Sequence, residues 1–274
     1  VLIHANTLND DAGVTIGKMA FVTDMTEHKK ALALAGEVQR SLLPQHDPQV
    51  DGLDISGKNV ACNEIGGDYF DFFWDPDALS SPFTVVVGDI TGHGVDSALL
   101  MATARAFLRM RASQLGTSKE IIKEMNQHLT KDVYDTGNFM TLFYLIISAD
   151  RKGIEWIRAG HEPAWLFDPE NNRFQELKGP GIALGVDKNF VYQVNRKKGL
   201  KKGQVLIIGT DGIWEGHNKA GEMFGKQRLK EIIRKNAAFS SEVILNEIFH
   251  AYTQFIQGTQ AEDDVTMVAV KMTQ

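Results

Sequence analysis

Apolar and polar positions along this chain follow two periods, and the switches between them mark its elements. Residues 1–27 read as two extended segments around the turn Asn9-Asp10-Asp11-Ala12-Gly13, the second covering 16–23. One hairpin is only marginally stable alone, so it either packs on the main body or ends a domain lying upstream. From 27 to 43 the period turns helical: Ala31, Leu34, Val38 and Leu42 recur at spacings of three and four, and Pro44 stops the run. Thr26 is the expected N-cap, with Lys29 standing where a capping-box glutamate would serve best. The stripe can pack on its own domain or pair with a second copy as a short coiled coil, although it spans fewer than three heptads.

After Pro44 the spacing predicts strands near 52–60, 69–73, 83–88, 139–148, 153–159, 163–167, 204–210 and 265–272. Helices are predicted near 95–115, 118–134, 225–236 and 240–257. Strands come in adjacent runs and helices in pairs, without strict βαβ alternation. That order predicts an α+β fold, layered on antiparallel sheets.

The bulk numbers narrow the class. A chain of 274 residues can hold one large domain plus a small appendage. The net charge of −6 speaks against a general nucleic-acid binder, which usually carries a basic excess. One basic cluster, Arg196-Lys197-Lys198 with Lys201-Lys202, is flanked by glycines and reads as a solvated hairpin tip, with a docking patch for an acidic partner as the alternative. The single cysteine, Cys62, excludes an internal disulfide and any multi-cysteine zinc site, and it fits a reducing, cytoplasmic compartment. No motif surrounds it, so it reads as packing rather than as a nucleophile. Apolar stretches fall far short of the roughly 20 residues that span a bilayer, so no membrane contact is expected of this segment. No signal peptide is visible, and the opening on Val1 suggests a piece of a longer protein.

The chemistry lies in four aspartates that end apolar, strand-like runs beside glycine or a second acid. They occur in Gly66-Gly67-Asp68, Gly88-Asp89, Thr210-Asp211-Gly212 and Asp263-Asp264, and Asp71 in Gly66-Gly67-Asp68-Tyr69-Phe70-Asp71 completes the acidic set. A carboxylate on a turn after a strand is firmly held and open to solvent, and several converging make a site for a hard cation. The segment Phe83 to Gly94 is neither a Walker loop nor a dinucleotide fingerprint, because it lacks Gly-Lys-Ser/Thr and Gly-x-Gly-x-x-Gly. Side-by-side Asp263 and Asp264 repel, and a cation would relieve them; a solvated strand start is the plainer reading. Oxygen-only ligation selects Mg²⁺ or Mn²⁺ over zinc. Two such ions about 3.5–4 Å apart activate a water for in-line attack on phosphorus, without a covalent enzyme intermediate.

The order of motifs resembles the PPM (type 2C) metal-dependent protein phosphatases. Within them it is similar to the bacterial sporulation-protein-E-type serine phosphatases that regulate sigma-factor partner switching. The resemblance is carried by Glu37-Val38-Gln39-Arg40-Ser41-Leu42-Leu43-Pro44, Gly66-Gly67-Asp68-Tyr69-Phe70-Asp71, Gly88-Asp89-Ile90-Thr91-Gly92-His93-Gly94, Ala159-Gly160-His161-Glu162-Pro163, Thr210-Asp211-Gly212 and Asp263-Asp264-Val265-Thr266, spanning 37–272. It implies a layered α-β-β-α sandwich with a two-metal site, two Mn²⁺ or Mg²⁺ ions, at one end. Asp89 would bridge both ions, with Asp68 and the backbone carbonyl of Ile90 on one side and Asp211 and Asp263 on the other. Asp264 is the fallback in another register. Asp89 and Asp211 would act in catalysis through metal-bound water. The implied substrate is a phosphoserine or phosphothreonine protein, typically a STAS-domain antagonist of an anti-sigma factor. Eukaryotic members grip phosphate with an arginine near the first motif; none stands near Asp68 in this sequence, so the metals would carry that task. His93 and His161 are read as structural.

The segment from Gly17 to Lys29 resembles the last strand and exit of a PAS sensor domain. Three units are therefore expected: 1–27 as a sensor remnant, 28–44 as a linker helix that relays a signal and supports a homodimer, and 45–274 as the phosphatase domain. Two other readings stay open. One is a catalytically silent, phosphatase-like binding module, against which the intact acids argue; the other is a metal-dependent phosphoesterase acting on small molecules.

Overall fold

The computed structural model describes residues 1–78, 81–92, 94–259 and 261–274. It opens with an antiparallel hairpin of β1 (Leu2–Asn9) and β2 (Thr15–Thr23). Asp10 closes the turn by accepting from the amides of Ala12 and Val14 at 3.0 and 2.8 Å. Both faces of the hairpin are exposed almost throughout, leaving Ile3, Ile16, Phe21 and Val22 in solvent. It does not bury itself on the main body, the first of the two outcomes expected for it.

Helix α1 (Thr26–Leu42) follows. Its N-cap is Met25, which offers no side-chain bond, so the expected Thr26 cap is not what forms. Asp24 does the work instead: its Oδ1 accepts from the Thr26 amide at 2.9 Å and hydroxyl at 2.6 Å, setting a negative charge before the positive end of the helix. The apolar stripe faces outward, with Leu34 62% and Val38 58% exposed. The buried residue is Gly36, on the opposite side by helical geometry. A Cβ there would lie 2.0 Å from the Glu64 carbonyl oxygen, so only glycine lets α1 lie flush against that loop.

The body contains β3 (Leu53–Val60), β4 (Tyr69–Phe73), β5 (Phe83–Ile90), α2 (Val95–Ala112), α3 (Ser118–Asp132), β6 (Met140–Ile147), β7 (Gly153–Ala159), β8 (Ala164–Asp168), β9 (Arg173–Leu177), β10 (Asn195–Lys198), β11 (Val205–Gly209), α4 (Gly212–Glu215), α5 (Lys226–Asn236), α6 (Ser241–Phe255) and β12 (Val265–Met272). Two antiparallel five-stranded sheets form, ordered β10-β7-β6-β5-β4 and β3-β12-β11-β8-β9. Helices α2 and α3 cover the first and α6 the second, with α5 packed on α6. The result is the α-β-β-α sandwich.

Strand β11 shows why the layers form. All of Val205-Leu206-Ile207-Ile208-Gly209 is buried. Leu206 and Ile208 join the core shared with the first sheet, while Val205 and Ile207 join the core under α5 and α6. A strand buried on both faces has to be apolar throughout.

Strands β9 and β10 and the short α4 escape the spacing rules. The two strands lie at sheet edges and are largely polar. The basic cluster is corrected accordingly: Arg196-Lys197-Lys198 belongs to β10, paired along β7, and Arg196 meets Glu155 at 2.7 Å. It is no hairpin tip, because the next strand, β11, lies in the other sheet. Cationic side chains on an edge discourage further strand addition. Among the described residues, no helix is long and apolar enough to cross a membrane.

Candidate functional site

In the β4–β5 ladder Tyr69 faces Gly88, so one step further the register sets Asp68 opposite Asp89. Asp68 is buried, and its Oδ2 accepts from Thr210 Oγ1 at 2.8 Å. Burial drives its carboxyl well above the ordinary range, and the neighbouring Asp89 charge adds to this. Asp89 is itself pushed up to about 7, first by burial and then by the charges of Asp211, Asp263 and Asp264, while a hydrogen bond with Asp68 works the other way. Five carboxylates thus feel one another at this end of the sandwich. Gly67 follows the same logic: a Cβ there would come within 2.8 Å of the Ile90 carbonyl oxygen, so glycine keeps that oxygen clear.

The second sheet delivers the other acids. Thr210 and Thr266 lock the ends of β11 and β12, the Thr210 amide donating to the Thr266 carbonyl and the Thr266 amide to Thr210 Oγ1, both at 3.0 Å. Asp211 then opens α4, its carbonyl accepting from the amides of Trp214 and Glu215 at 3.0 Å each. A Cβ on Gly212 would lie 2.1 Å from the Asp264 carbonyl oxygen, so the glycine seats this corner directly on the Asp263-Asp264 turn.

The adjacent pair divides its labour. Asp264 is buried; its Oδ1 accepts from the Cys62 amide at 2.8 Å and its Oδ2 from the amides of Gly67 at 2.7 Å and Asp68 at 3.5 Å. Both oxygens of the fallback residue therefore staple the 62–68 loop. Asp263 Oδ1 accepts from the Asp264 amide at 2.8 Å.

Asp71 does not join the set. Alternation along β4 turns it to the α2 side, where Arg109 Nε donates to it at 2.6 Å and Tyr69 hydroxyl at 2.9 Å. Asp71 is fully buried while Arg109 is half exposed, so the acid is held inside by a charge-assisted hydrogen bond. His161 is also internal: it is 2% exposed, its Nδ1 meets Thr141 Oγ1 at 2.8 Å, and burial lowers it to about 4, so it stays neutral. His93 lies outside the described residues. The Cys62 thiol is pushed up to about 12 by burial and by Asp264, which suits packing and not attack.

Several further contributions drew no role from the spacing, although Gln39 and Arg40 stand in the Glu37–Pro44 motif. Gln39 of α1 clasps Gly66, its Nε2 donating to the carbonyl at 2.6 Å and its Oε1 accepting from the amide at 3.0 Å. Arg40, next to it, lines the same small cavity as Asp68, so an arginine does come near this acid through the fold. At the other rim, Lys226 Nζ meets Glu162 Oε2 at 2.6 Å. Glu215, in α4, is pushed up by burial and then by Asp211.

Among the described residues, no three His, Cys, Asp or Glu side chains stand in ready metal-gripping geometry. The donor chemistry nevertheless suits a hard cation: carboxylate oxygens and a cleared carbonyl, with the histidine and the thiol turned to other tasks. Asp68 and Asp89 hydrogen-bond where two charges would repel, and a proton or a cation can relieve them.

Comparison with known proteins agrees with this architecture. Phosphoserine phosphatase RsbU of Bacillus subtilis (strain 168) is 25% identical over 245 residues, which cover 89% of this chain and 71% of that protein. The solved SiaA-PP2C domain of Pseudomonas aeruginosa superposes with a TM-score of 0.77 at 21% identity, covering 90% of this chain and 98% of that one. RsbX in complex with magnesium gives 0.61 at 17% identity, covering 83% and 99%. The chain spans between 25% and 71% of the length of the curated relatives it matches. The sequence profile of stage II sporulation protein E (SpoIIE) matches residues 81–273, from β5 to β12. With that match over most of its length and a PP2C-like sandwich behind it, the chain belongs to the SpoIIE family, the branch its motif order resembles.

Proposed function

We propose that this chain is a metal-dependent serine/threonine protein phosphatase. The observation that carries the reading is the convergence of Asp68 and Asp89 from one sheet with Asp211 and Asp263 from the other. RsbU is a phosphoserine phosphatase by name, and RsbX was solved with magnesium; both support the reading.

Asp89 would bridge two Mn²⁺ or Mg²⁺ ions, with Asp68 and the Ile90 carbonyl on one side and Asp211 and Asp263 on the other. Bound there, the ions supply water activation near neutral pH and offset charge on the phosphoryl oxygens. The rest falls to the chain. Thr210 holds Asp68 in place, Gly67 leaves the Ile90 carbonyl reachable, and Asp264 staples the loop that carries Asp68. Asp89 must be ionised to ligate, and the burial and neighbouring charges that push it up work against this.

The substrate would be a phosphoserine or phosphothreonine protein, with a STAS-domain antagonist of an anti-sigma factor as the first choice. Regulation would run from a sensor remnant at 1–27 through a linker at 28–44 to the domain at 45–274. The Gln39–Gly66 clasp, two residues before Asp68, supports that route. The outward stripe of Leu34 and Val38 supports a homodimer.

The test is Mn²⁺ titration together with phosphate release for the wild type and for Asp211→Asn. Loss of both in the variant is expected. Undiminished turnover in Asp211→Asn would sink the metal assignment.

A further inference from the structure

Beside the acidic cluster stands a cation seated on an aromatic face. Lys226, the first residue of α5, is fixed from three directions. Its Nζ meets Glu162 Oε2 at 2.6 Å and lies 4.7 Å from the centre of the Trp214 ring. The preceding Gly225 amide donates to the Trp214 carbonyl at 2.9 Å, and Trp214 in turn donates its amide to the Asp211 carbonyl at 3.0 Å. The position of Lys226 is thus built on the Asp211 corner.

Glu162 reaches the same place from the other side. In the β8–β11 ladder Trp165 faces Ile207, and Glu162 lies in the segment that leads into β8, two residues before Ala164. Glu215, pushed up by burial and by the charge of Asp211, also feels Lys226, Glu162 and Asp263.

Lys226 and Glu162 are 41% and 44% exposed. An ion pair so open to water is held weakly, and a stronger anion can displace Glu162. The aromatic face beneath keeps the ammonium in place while its partner changes.

We infer that Lys226 is a specificity-determining residue that receives an anionic group of the substrate, with Glu162 holding it in the free protein. This rests on the phosphatase reading of the acidic site. The anion is either the phosphoryl group itself or a carboxylate beside the phosphoserine. An ammonium is a compact point charge and suits both.

The test uses wild type, Lys226→Ala, Lys226→Arg and Glu162→Gln with two probes: para-nitrophenyl phosphate and a phosphoserine peptide with flanking glutamates. Steady-state rates with Mn²⁺ are paired with peptide binding by fluorescence anisotropy, which reads affinity even without turnover. Lys226→Ala should raise KM and the peptide Kd about tenfold, the scale of one charge-assisted hydrogen bond, with kcat nearly kept. Lys226→Arg should recover most of the loss. Glu162→Gln should shift both constants the opposite way, because it removes the competing carboxylate. A rise on both probes identifies the phosphoryl group as the anion; a rise on the peptide alone identifies the flanking carboxylate. Unchanged constants overturn the inference. So does a shift of the same sign in Lys226→Ala and Glu162→Gln, which would make the pair structural. A wild type that binds the peptide but releases no phosphate fails the phosphatase reading, whereas Lys226 is then judged from Kd alone.

Discussion

Thr210 Oγ1 donates to Asp68 Oδ2 at 2.8 Å, and this bond joins the end of one sheet to the end of the other. The same hydroxyl accepts from the Thr266 amide, so a single side chain fixes both sheet ends and orients a buried acid. Thr210→Val keeps the shape and removes both bonds. It should cost about 1–3 kcal/mol, since a buried carboxyl and a buried amide each lose a partner. Affinity for Mn²⁺ should fall about 10- to 100-fold, the range for groups that orient metal ligands. Thermal unfolding without metal separates the first effect from the second, read by titration.

His161 gives the fold an acid-sensitive core. Burial lowers it to about 4 from the 6.5 of an ordinary imidazole, so the unfolded chain takes up a proton that the folded chain refuses. Its contribution is fully present above about pH 6.5 and is lost as pH falls toward 4. The size is on the order of 3 kcal/mol from the shift alone. Denaturant unfolding at pH 7.5 and 5, compared between wild type and His161→Gln, should show the variant losing less on acidification. Equal losses would assign the acid sensitivity to other groups.

The docking of α1 rests on a glycine, and leucine at that place should undo it. With its Cβ 2.0 Å from the Glu64 carbonyl, Gly36→Leu forces the helix off the loop and breaks the Gln39–Gly66 clasp. Hydrogen exchange should then rise in 61–68 while β11 and β12 stay protected. Mn²⁺ affinity should fall along with loop order.

The outward stripe of α1 makes a separate prediction. Leu34 and Val38 expose apolar surface that a second copy would cover. Sedimentation at tens of micromolar should show a dimer, and Leu34→Glu with Val38→Glu should return a monomer. A wild-type monomer under those conditions would dispose of the dimer.

Most of the framework was legible in the sequence because strand and helix periods differ and burial enforces them. The apolar run at 205–209, bounded by Gly203 and by Thr210-Asp211-Gly212, reads as a buried strand, and it is one covered on both faces. Strands β9 and β10 were not legible, because polar edge strands lack the alternation that a buried face imposes. Asp71 could have been set apart, since three residues along a strand reverse the face from that of Asp68. The split between Asp263 and Asp264 could not: both oxygens of Asp264 are taken by amides some 200 positions away in the chain, at Cys62 and Gly67. The approach of Arg40 to Asp68 depends likewise on how α1 docks, which no local spacing encodes.

The central claim is that the converging aspartates serve metal-dependent removal of phosphate from a protein. Its most direct test is phosphate release from a serine-phosphorylated STAS-domain protein, with Mn²⁺ and with excess EDTA. Release with Mn²⁺, abolished by EDTA and by Asp89→Asn, is the predicted result. Release that persists in EDTA, or that survives Asp89→Asn undiminished, would contradict it.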